Sequence, residues 1–295
     1  MQIIRDEVKK RTQEIPLQIK LGTPFINKLY LDAVIDIDSV IKDSQIRMWK
    51  ALKARPEFRI SLSETQTILE KFIESKVNLV ILHIDLVDST KMSMTLSIDK
   101  LSAIIRAFAE ETSSVISMYG GYVLKYVGDA VLAFFVIEDE SNTDGENKKN
   151  ITNVDIVTPY SLQSSNVISC SYSIIQVIQR GINPILNQYD YPELKVRIGI
   201  DFGEIGVVQY GIDIDKLDGK AILTRPHIDM IGPTISITVK MTSIAKPDQI
   251  VLGQNLYDML EDAQKKTFKR ISGISSVWNY ANKISEGRYN LYGSL

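Results

Sequence analysis

The sequence is poor in the residues that form disulfides and soft-metal sites. Its 295 residues include one cysteine, Cys170, and two histidines, His83 and His227. A single cysteine cannot form a disulfide within the chain, and a zinc site built from cysteine and histidine needs about four such ligands. A metal ion in this protein would therefore be bound by oxygen ligands.

The sequence also lacks an excess of basic charge and a long apolar run. Lys and Arg number 34 against 36 Asp and Glu, so no basic surface is expected that would attract nucleic acid. No apolar segment reaches the roughly 20 residues of a membrane span, and the charged start M-Q-I-I-R-D-E-V-K-K-R is unlike a secretory signal. We therefore expect a cytoplasmic protein with no membrane span and no nucleic-acid partner.

The pattern of the chain changes near residue 75. Residues 1–75 are rich in charge and carry apolar residues at helical spacing, which predicts an N-terminal helical extension. Its role is open between regulation, dimer formation and inert packing. Residues 76–295 are predicted to form one large domain with a polar surface insertion at residues 137–165.

The first half of this domain shows alternating strand and helix patterns. Residues 77–85 are mostly aliphatic, which predicts a strand covered on both faces. A helix is predicted at residues 98–119, a hairpin with strands at 122–126 and 130–136, and a second helix at 167–185. This order predicts an α/β fold, an α+β sandwich with a ferredoxin-like βαββαβ core.

The second half of the domain gives weaker signals. Residues 196–210 predict a pair of strands broken by Gly203, followed by a polar loop at residues 211–225. The next segment carries two conflicting patterns. Apolar residues alternate from Ile235 to Met241 as in a strand, whereas Gly232-Pro233 is typical of a helix start.

Two aspartates stand at the ends of predicted strands. Asp85 closes the first strand, and Asp129 follows Gly128 in the hairpin turn, four residues after Lys125. Either carboxylate alone would be explained by an ordinary strand-end or turn role. For the pair, held on rigid elements, we favour oxygen ligands for a hard divalent cation.

Four short motifs then identify a family. They are D-L-V-D-S-T at 85–90, K-Y-V-G-D at 125–129, R-I-G-I at 197–200 followed by G-E at 203–204, and D-M-I-G-P at 229–233. Each is weak alone, but their order, with helices between them, resembles the catalytic domain of class III nucleotidyl cyclases. The resemblance runs from about residue 77 to residue 295, and the first 75 residues lie outside it.

The resemblance implies an enzyme that closes a nucleoside triphosphate into a cyclic 3′,5′-monophosphate and releases pyrophosphate. Two divalent cations per site, Mg²⁺ or Mn²⁺, suit this displacement. Asp85 and Asp129 would hold the cations, with the carbonyl of Leu86 as an additional ligand. Backbone amides of the next loop would surround the phosphates, namely those of Asp88, Ser89 and Thr90. Taken alone, this loop is equally well explained as a plain turn.

The resemblance also implies which base is bound and how the chains assemble. Adenine offers an acceptor at N1 and a donor at its amino group, which a lysine and an aspartate satisfy, and guanine presents the opposite pattern. Lys125 and Asp229 stand at these positions, so ATP and adenylate cyclase activity are implied. Lys125 and Asp129 flank one turn yet serve different parts of the nucleotide, which implies a homodimer with shared sites.

Three residues depart from the family pattern. Ser236 and Lys240 replace the asparagine and arginine that steady the ribose and the transition-state phosphate, and Asp88 replaces a glycine of the phosphate loop. Loss of one well-aimed transition-state donor costs on the order of a hundredfold in rate. The alternative is therefore a catalytically degenerate cyclase-like module that binds nucleotide or a partner. A palm-type nucleotidyltransferase is a third hypothesis, which the acidic composition disfavours.

Overall fold

The computed structural model describes residues 35–53, 62–137, 159–217, 220–274, 276–281 and 287–295. Most of the expected N-terminal extension lies outside these ranges, and so do residues 138–158 of the expected insertion. No helix in the described ranges is long and apolar enough to cross a membrane.

The described strands form one mixed sheet. They are β1 (Lys76–Leu86), β2 (Tyr122–Val127), β3 (Ala130–Val136), β4 (Val196–Leu217), β5 (Lys220–Ile231), β6 (Gln249–Gly253), β7 (Phe268–Arg270) and β8 (Leu291–Ser294). The spatial order is β2-β3-β1-β4-β6-β8-β7, with β5 paired to β4. β1 is antiparallel to both β3 and β4, and β4 is parallel to β6.

Helices cover the sheet and connect its strands. They are α1 (Ile37–Leu52), α2 (Leu62–Glu70), α3 (Ser89–Thr95), α4 (Ile98–Met118), α5 (Pro159–Gln176), α6 (Asn183–Asn187), α7 (Pro233–Thr242), α8 (Gln254–Met259) and α9 (Asp262–Lys265), with a π-helical turn at Val177–Ile182. The order β1-α4-β2-β3-α5-β4, with β1 beside β3 and β4, is the predicted ferredoxin-like core, so the predicted fold class is confirmed.

β1 is the central strand and is buried on both faces, as its aliphatic composition predicted. Val80, Leu82 and Ile84 belong to the core that is covered by α1, α4 and α5. Leu79 and Ile81 belong to a second core on the other face, together with residues of α2, β4 and β5. A strand buried in this way is a rigid support for the residues at its end.

Two predicted boundaries are wrong in the region after β3. Helix α5 begins at Pro159, so residues 159–165 are helical and do not belong to a surface loop. Two of the polar residues that suggested a loop, Ser164 and Asn166, are buried. The helix predicted at residues 167–185 is also divided, because the π-helical turn separates α5 from α6.

The predicted strand break at Gly203 is wrong, and so is the predicted polar loop at residues 211–225. β4 runs without interruption to Leu217 and pairs with β5 as a long antiparallel ribbon. Gly203 serves close packing instead: a Cβ at this position would lie 2.5 Å from Oγ1 of Thr234 in α7. Of the two patterns after residue 232, the helix is correct, and Pro233 occupies its first turn.

Helix α1 packs into the core of the main domain. Ile41, Met48 and Leu52 are buried in the same cluster as β1 and α4. Within this contact the guanidinium of Arg47 donates two hydrogen bonds to the carboxylate of Glu111 in α4, and both side chains are buried. The division of the chain at residue 75 stays a prediction, but residues 37–52 share the core of the region that follows.

We predict that Glu111→Gln destabilises the protein by about 3–5 kcal/mol, because it removes the buried carboxylate that accepts both hydrogen bonds from Arg47. The other ion pair of Arg47, with the exposed Asp43, is longer at 3.9 Å. Urea unfolding measures the change. Asp38→Asn is the matched control, since it removes an exposed ion pair between the same helix and Arg180 and should cost less than about 1 kcal/mol. Equal, small losses in both variants would contradict the importance of the buried pair.

Candidate active site

The end of β1, the turn between β2 and β3, and the start of β4 lie close together at one end of the sheet. Ile84 near the end of β1 pairs with Val131 of β3, so the β2–β3 turn that carries Asp129 lies beside Asp85. On the other side of β1, Asp85 pairs directly with Arg197 at the start of β4. The position of Asp85 at the end of a buried strand therefore places it between Asp129 and Arg197.

The carboxylate of Asp85 is held by an arginine. Nη2 of Arg197 donates a hydrogen bond to Oδ2 of Asp85 at 2.6 Å, and the two side chains are 28 % and 26 % exposed. Leu86, the next residue, has a buried side chain, so only its backbone could contribute to a site. The contact leaves Oδ1 of Asp85 as the oxygen available to a ligand.

Asp129 carries a buried oxygen that has no partner. Its Oδ2 is buried and makes no hydrogen bond in the described structure. The residue follows Gly128, whose φ of +63° closes the tight turn between β2 and β3. A buried carboxylate oxygen without a donor is costly, and a cation is one way to satisfy it.

His83 shows that the two carboxylates share one environment. It lies two residues before Asp85 on β1, buried, with Nδ1 at 3.4 Å from Oγ1 of Thr242 in α7. Burial lowers the pKa of His83, and the charges of Asp85 and Asp129 oppose this with smaller effects. Both carboxylates therefore act on the same buried imidazole.

The donor set fits a hard cation that brings ligands of its own. Within the described ranges no group of three or more His, Cys, Asp or Glu side chains is arranged to hold a metal ion. Asp85 and Asp129 nevertheless supply one available oxygen and one unpaired buried oxygen. Mg²⁺ and Mn²⁺ are commonly bound by one or two carboxylates together with phosphate oxygens and water, and this pair suits that mode.

The loop after β1 has the backbone form that a glycine would favour. Asp88 adopts φ +56° and ψ 26°, in the left-handed region, and occupies the N-cap position of α3 without a capping hydrogen bond from its side chain. Aspartate tolerates this conformation better than most residues. Ser89 and Thr90, which follow directly, form the first turn of α3.

Lys125 and Asp229 form an ion pair although 104 positions separate them in the sequence. A register shift between Val123 and Lys125 in the β2–β3 pair lies directly before the lysine. Asp229 lies on β5, where its Oδ1 accepts a hydrogen bond from the amide of Met230 at 2.8 Å. The side chains of Lys125 and Asp229 are 41 % and 23 % exposed, so a ligand can reach both.

Ser236 and Lys240 lie on the outer side of α7. Both are exposed, whereas Thr234 and Thr238 of the same helix are buried against β4. Oγ of Ser236 donates to the carbonyl of Gly232 at 3.4 Å, and Nζ of Lys240 lies 6.0 Å from the ring centroid of Tyr280. Within the described residues no hydrogen bond or ion pair joins either side chain to Asp85 or Asp129.

The structure thus brings together some of the candidate residues and separates others. Asp85 and Asp129 converge, Lys125 and Asp229 touch, and Ser236 and Lys240 share one exposed helix face. Arg197 has no predicted role from the sequence. Its place inside the R-I-G-I motif was the one available signal, because the sequence does not give the strand register that sets it opposite Asp85.

Comparison with curated proteins finds nucleotide cyclases. The chain is 25 % identical over 189 residues to the cytidylate cyclase of Escherichia coli, an alignment that covers 61 % of this chain and 35 % of that protein. It is 24 % identical over 204 residues to the uridylate cyclase of Rhodovulum sp. (strain MB263), which covers 67 % of this chain and 70 % of that protein. The chain therefore spans only about a third of the length of the Escherichia coli relative.

Comparison with solved structures supports the fold. The crystal structure of the guanylyl cyclase Cya2 matches 75 % of this chain and 93 % of its own, with a TM-score of 0.51 and 14 % sequence identity. Similarity at this level of identity concerns the fold alone.

The family model described as the adenylate and guanylate cyclase catalytic domain matches residues 72–277. This range is well over half of the 295 residues, and it contains the two aspartates, the Lys125–Asp229 pair and helix α7. The resemblance stated from the four sequence motifs is confirmed, and the chain belongs to the class III adenylate and guanylate cyclase catalytic domain family.

Proposed function

We propose that this protein is a metal-dependent nucleotide cyclase that converts ATP into 3′,5′-cyclic AMP and pyrophosphate. The observation that carries the proposal is the unpaired buried oxygen of Asp129 beside the strand-end carboxylate of Asp85. Family membership supports the reaction class. The alignment covers only 35 % of the length of the Escherichia coli relative. The activity of the whole protein is therefore itself a proposal.

The reaction forms one bond and breaks one bond at the α-phosphorus. The ribose 3′-oxygen attacks this phosphorus, its proton passes to solvent water, and pyrophosphate leaves with the electrons of the broken P–O bond. Asp85 and Asp129 would hold two divalent cations, Mg²⁺ or Mn²⁺. These would lower the pKa of the ribose 3′-hydroxyl and neutralise negative charge on the triphosphate. The backbone carbonyl of Leu86 would add an oxygen ligand.

The remaining candidate residues bind and orient the nucleotide. Amides of the loop at residues 88–90 would donate to the phosphates, since this loop opens α3 next to Asp85. Ser236 would position the ribose, and Lys240 would place a positive charge on the transferring phosphate. Lysine acts there as a point charge without the planar fork of arginine, so slow turnover is expected.

The Lys125–Asp229 pair supports a base that carries an amino group. Adenine presents a ring acceptor beside an exocyclic amino donor, and the lysine and aspartate complement both. Cytosine presents the same arrangement at N3 and its amino group, whereas guanine and uracil present a ring N–H donor beside a keto acceptor. CTP is therefore the second candidate substrate, favoured by the similarity to the protein named cytidylate cyclase.

The proposed metal carboxylates give the first functional test. Asp85→Asn and Asp129→Asn should each lower cyclisation of ATP with Mn²⁺ by at least about a hundredfold, because each removes a charged ligand. Cyclic AMP and pyrophosphate are measured together. Asp190→Asn, at an exposed turn with φ +54°, is the control and should retain activity. If a wild-type protein that binds ATP forms no cyclic nucleotide, the non-catalytic binding module is correct instead.

Base selection is tested with the four nucleoside triphosphates. We expect ATP and CTP to be cyclised in preference to GTP and UTP. Lys125→Ala should lower kcat/KM for ATP by about tenfold to a hundredfold, the value of one hydrogen bond from a charged donor. Lys76→Ala removes another exposed strand lysine and should have no effect. Preference for GTP or UTP by the wild-type protein would disprove the assigned polarity.

The positions of the candidate residues support a homodimer with shared sites. Ser236 and Lys240 face outward from α7, while the two carboxylates lie at the strand ends. A two-fold axis would let the outer side of α7 in one chain complete the carboxylate site of its partner. Two equivalent clefts would result, each built from both chains.

Complementation tests this arrangement. Asp85→Ala and Lys125→Ala proteins, each with little activity, should regain roughly a quarter of the wild-type activity when mixed, because half of the dimers are mixed and one of their two clefts is intact. Subunit exchange is verified with two different affinity tags. Inactivity of a mixture that has exchanged subunits would place the whole site within one chain.

A further inference from the structure

Arg197 is a charged residue that contacts one of the candidate metal carboxylates and has no role in the proposed reaction. It lies directly across the β1–β4 ladder from Asp85 and donates to Oδ2 of that carboxylate at 2.6 Å. Its Nε is buried and makes no hydrogen bond in the described structure. The hydrogen bond joins two charged groups, so it is stronger than an ordinary surface contact.

The strand that carries Arg197 is fixed from its other side. Asp248 clamps Val196: its carboxylate accepts from the Val196 amide at 3.0 Å, and its own amide donates to the Val196 carbonyl at 2.6 Å. Asp248 adopts φ +58°, and Nε2 of Gln179 donates to its second carboxylate oxygen at 3.0 Å. The backbone next to Arg197 is therefore held in place, unlike a surface ion pair between two mobile side chains.

The guanidinium of Arg197 reduces the net negative charge around Asp85 and Asp129. Asp85 and Asp129 together carry two negative charges, and Arg197 contributes one positive charge in contact with the first of them. A divalent cation bound to Asp85 would therefore be repelled by the positive charge of Arg197. Both side chains are largely shielded from water, and Coulomb forces are stronger there than in bulk water. The triphosphate, with its own negative charge, offsets that repulsion when it binds.

We infer that Arg197 is a positioning residue that keeps the nucleotide-free site weak for divalent cations and presents the free oxygen of Asp85 to a cation that arrives with the triphosphate. The inference rests on the proposed function and deepens it. Nucleotide and metal then bind together, and the empty protein does not hold a metal tightly.

The test measures Mn²⁺ binding to the nucleotide-free chain of 295 residues by electron paramagnetic resonance. Arg197→Gln removes the positive charge and should tighten Mn²⁺ binding on the order of tenfold. Arg197→Lys keeps the charge and should bind Mn²⁺ about as weakly as the wild-type protein. A purely structural role would weaken binding in both variants, and thermal unfolding of each variant measures that contribution separately.

The proposal is overturned if Arg197→Gln binds Mn²⁺ no more tightly than the wild-type protein, or if Arg197→Lys binds as tightly as Arg197→Gln. The double variant Asp85→Asn/Arg197→Gln identifies the site. It should lose the gain, and retention of the gain would place the cation elsewhere and also refute the metal role of Asp85. Loss of turnover in Asp85→Asn without a gain in Arg197→Gln would refute this inference alone and leave the proposed function standing.

Discussion

The arrangement of the candidate site depends on the burial of β1 on both faces. Apolar cores lie above and below this strand, and neighbours pair with it on both edges. Its direction and register are therefore fixed by most of the domain, and Asp85 at its end inherits that rigidity. Asp129, in the turn before β3, and Arg197, on β4, lie near Asp85 because β3 and β4 both pair with β1. A flexible loop could not keep two carboxylates and a guanidinium at fixed positions relative to one another.

Close contact between α7 and β4 determines which side chains of the helix remain available. A Cβ at Gly199 would lie 2.4 Å from the carbonyl oxygen of Thr238, and one at Gly203 would collide with Thr234. The two glycines thus let the helix rest directly on the strand. The buried threonines occupy the inner side, and Ser236 and Lys240 are left on the outer side. The same packing that stabilises the domain therefore exposes the residues proposed to act on the nucleotide.

Features that depend on local patterns could be predicted from the sequence, and features that depend on distant pairing could not. The aliphatic run of β1 predicted its burial, and Gly128-Asp129 predicted the hairpin turn. Gly203 suggested a strand break, but the glycine is needed there because α7 packs against it. That helix begins 30 residues further along the chain, so no local pattern reveals the contact. The start of α5 was missed since buried Ser and Asn resemble loop residues. The Asp85–Arg197 contact required a strand register that no local signal contains.

In the role proposed for it, the Lys125–Asp229 pair would limit the choice of base without completing it. Donor and acceptor stand side by side, so the pair would distinguish amino bases from keto bases by polarity. Adenine and cytosine present the same two atoms to it and differ in size. Discrimination between them therefore depends on the depth of the cleft beyond the pair, and size differences of this kind are worth less than a mismatched hydrogen bond. In the proposed cleft shared by two chains, the wall that sets this depth would belong to the dimer, so base choice and assembly would be coupled.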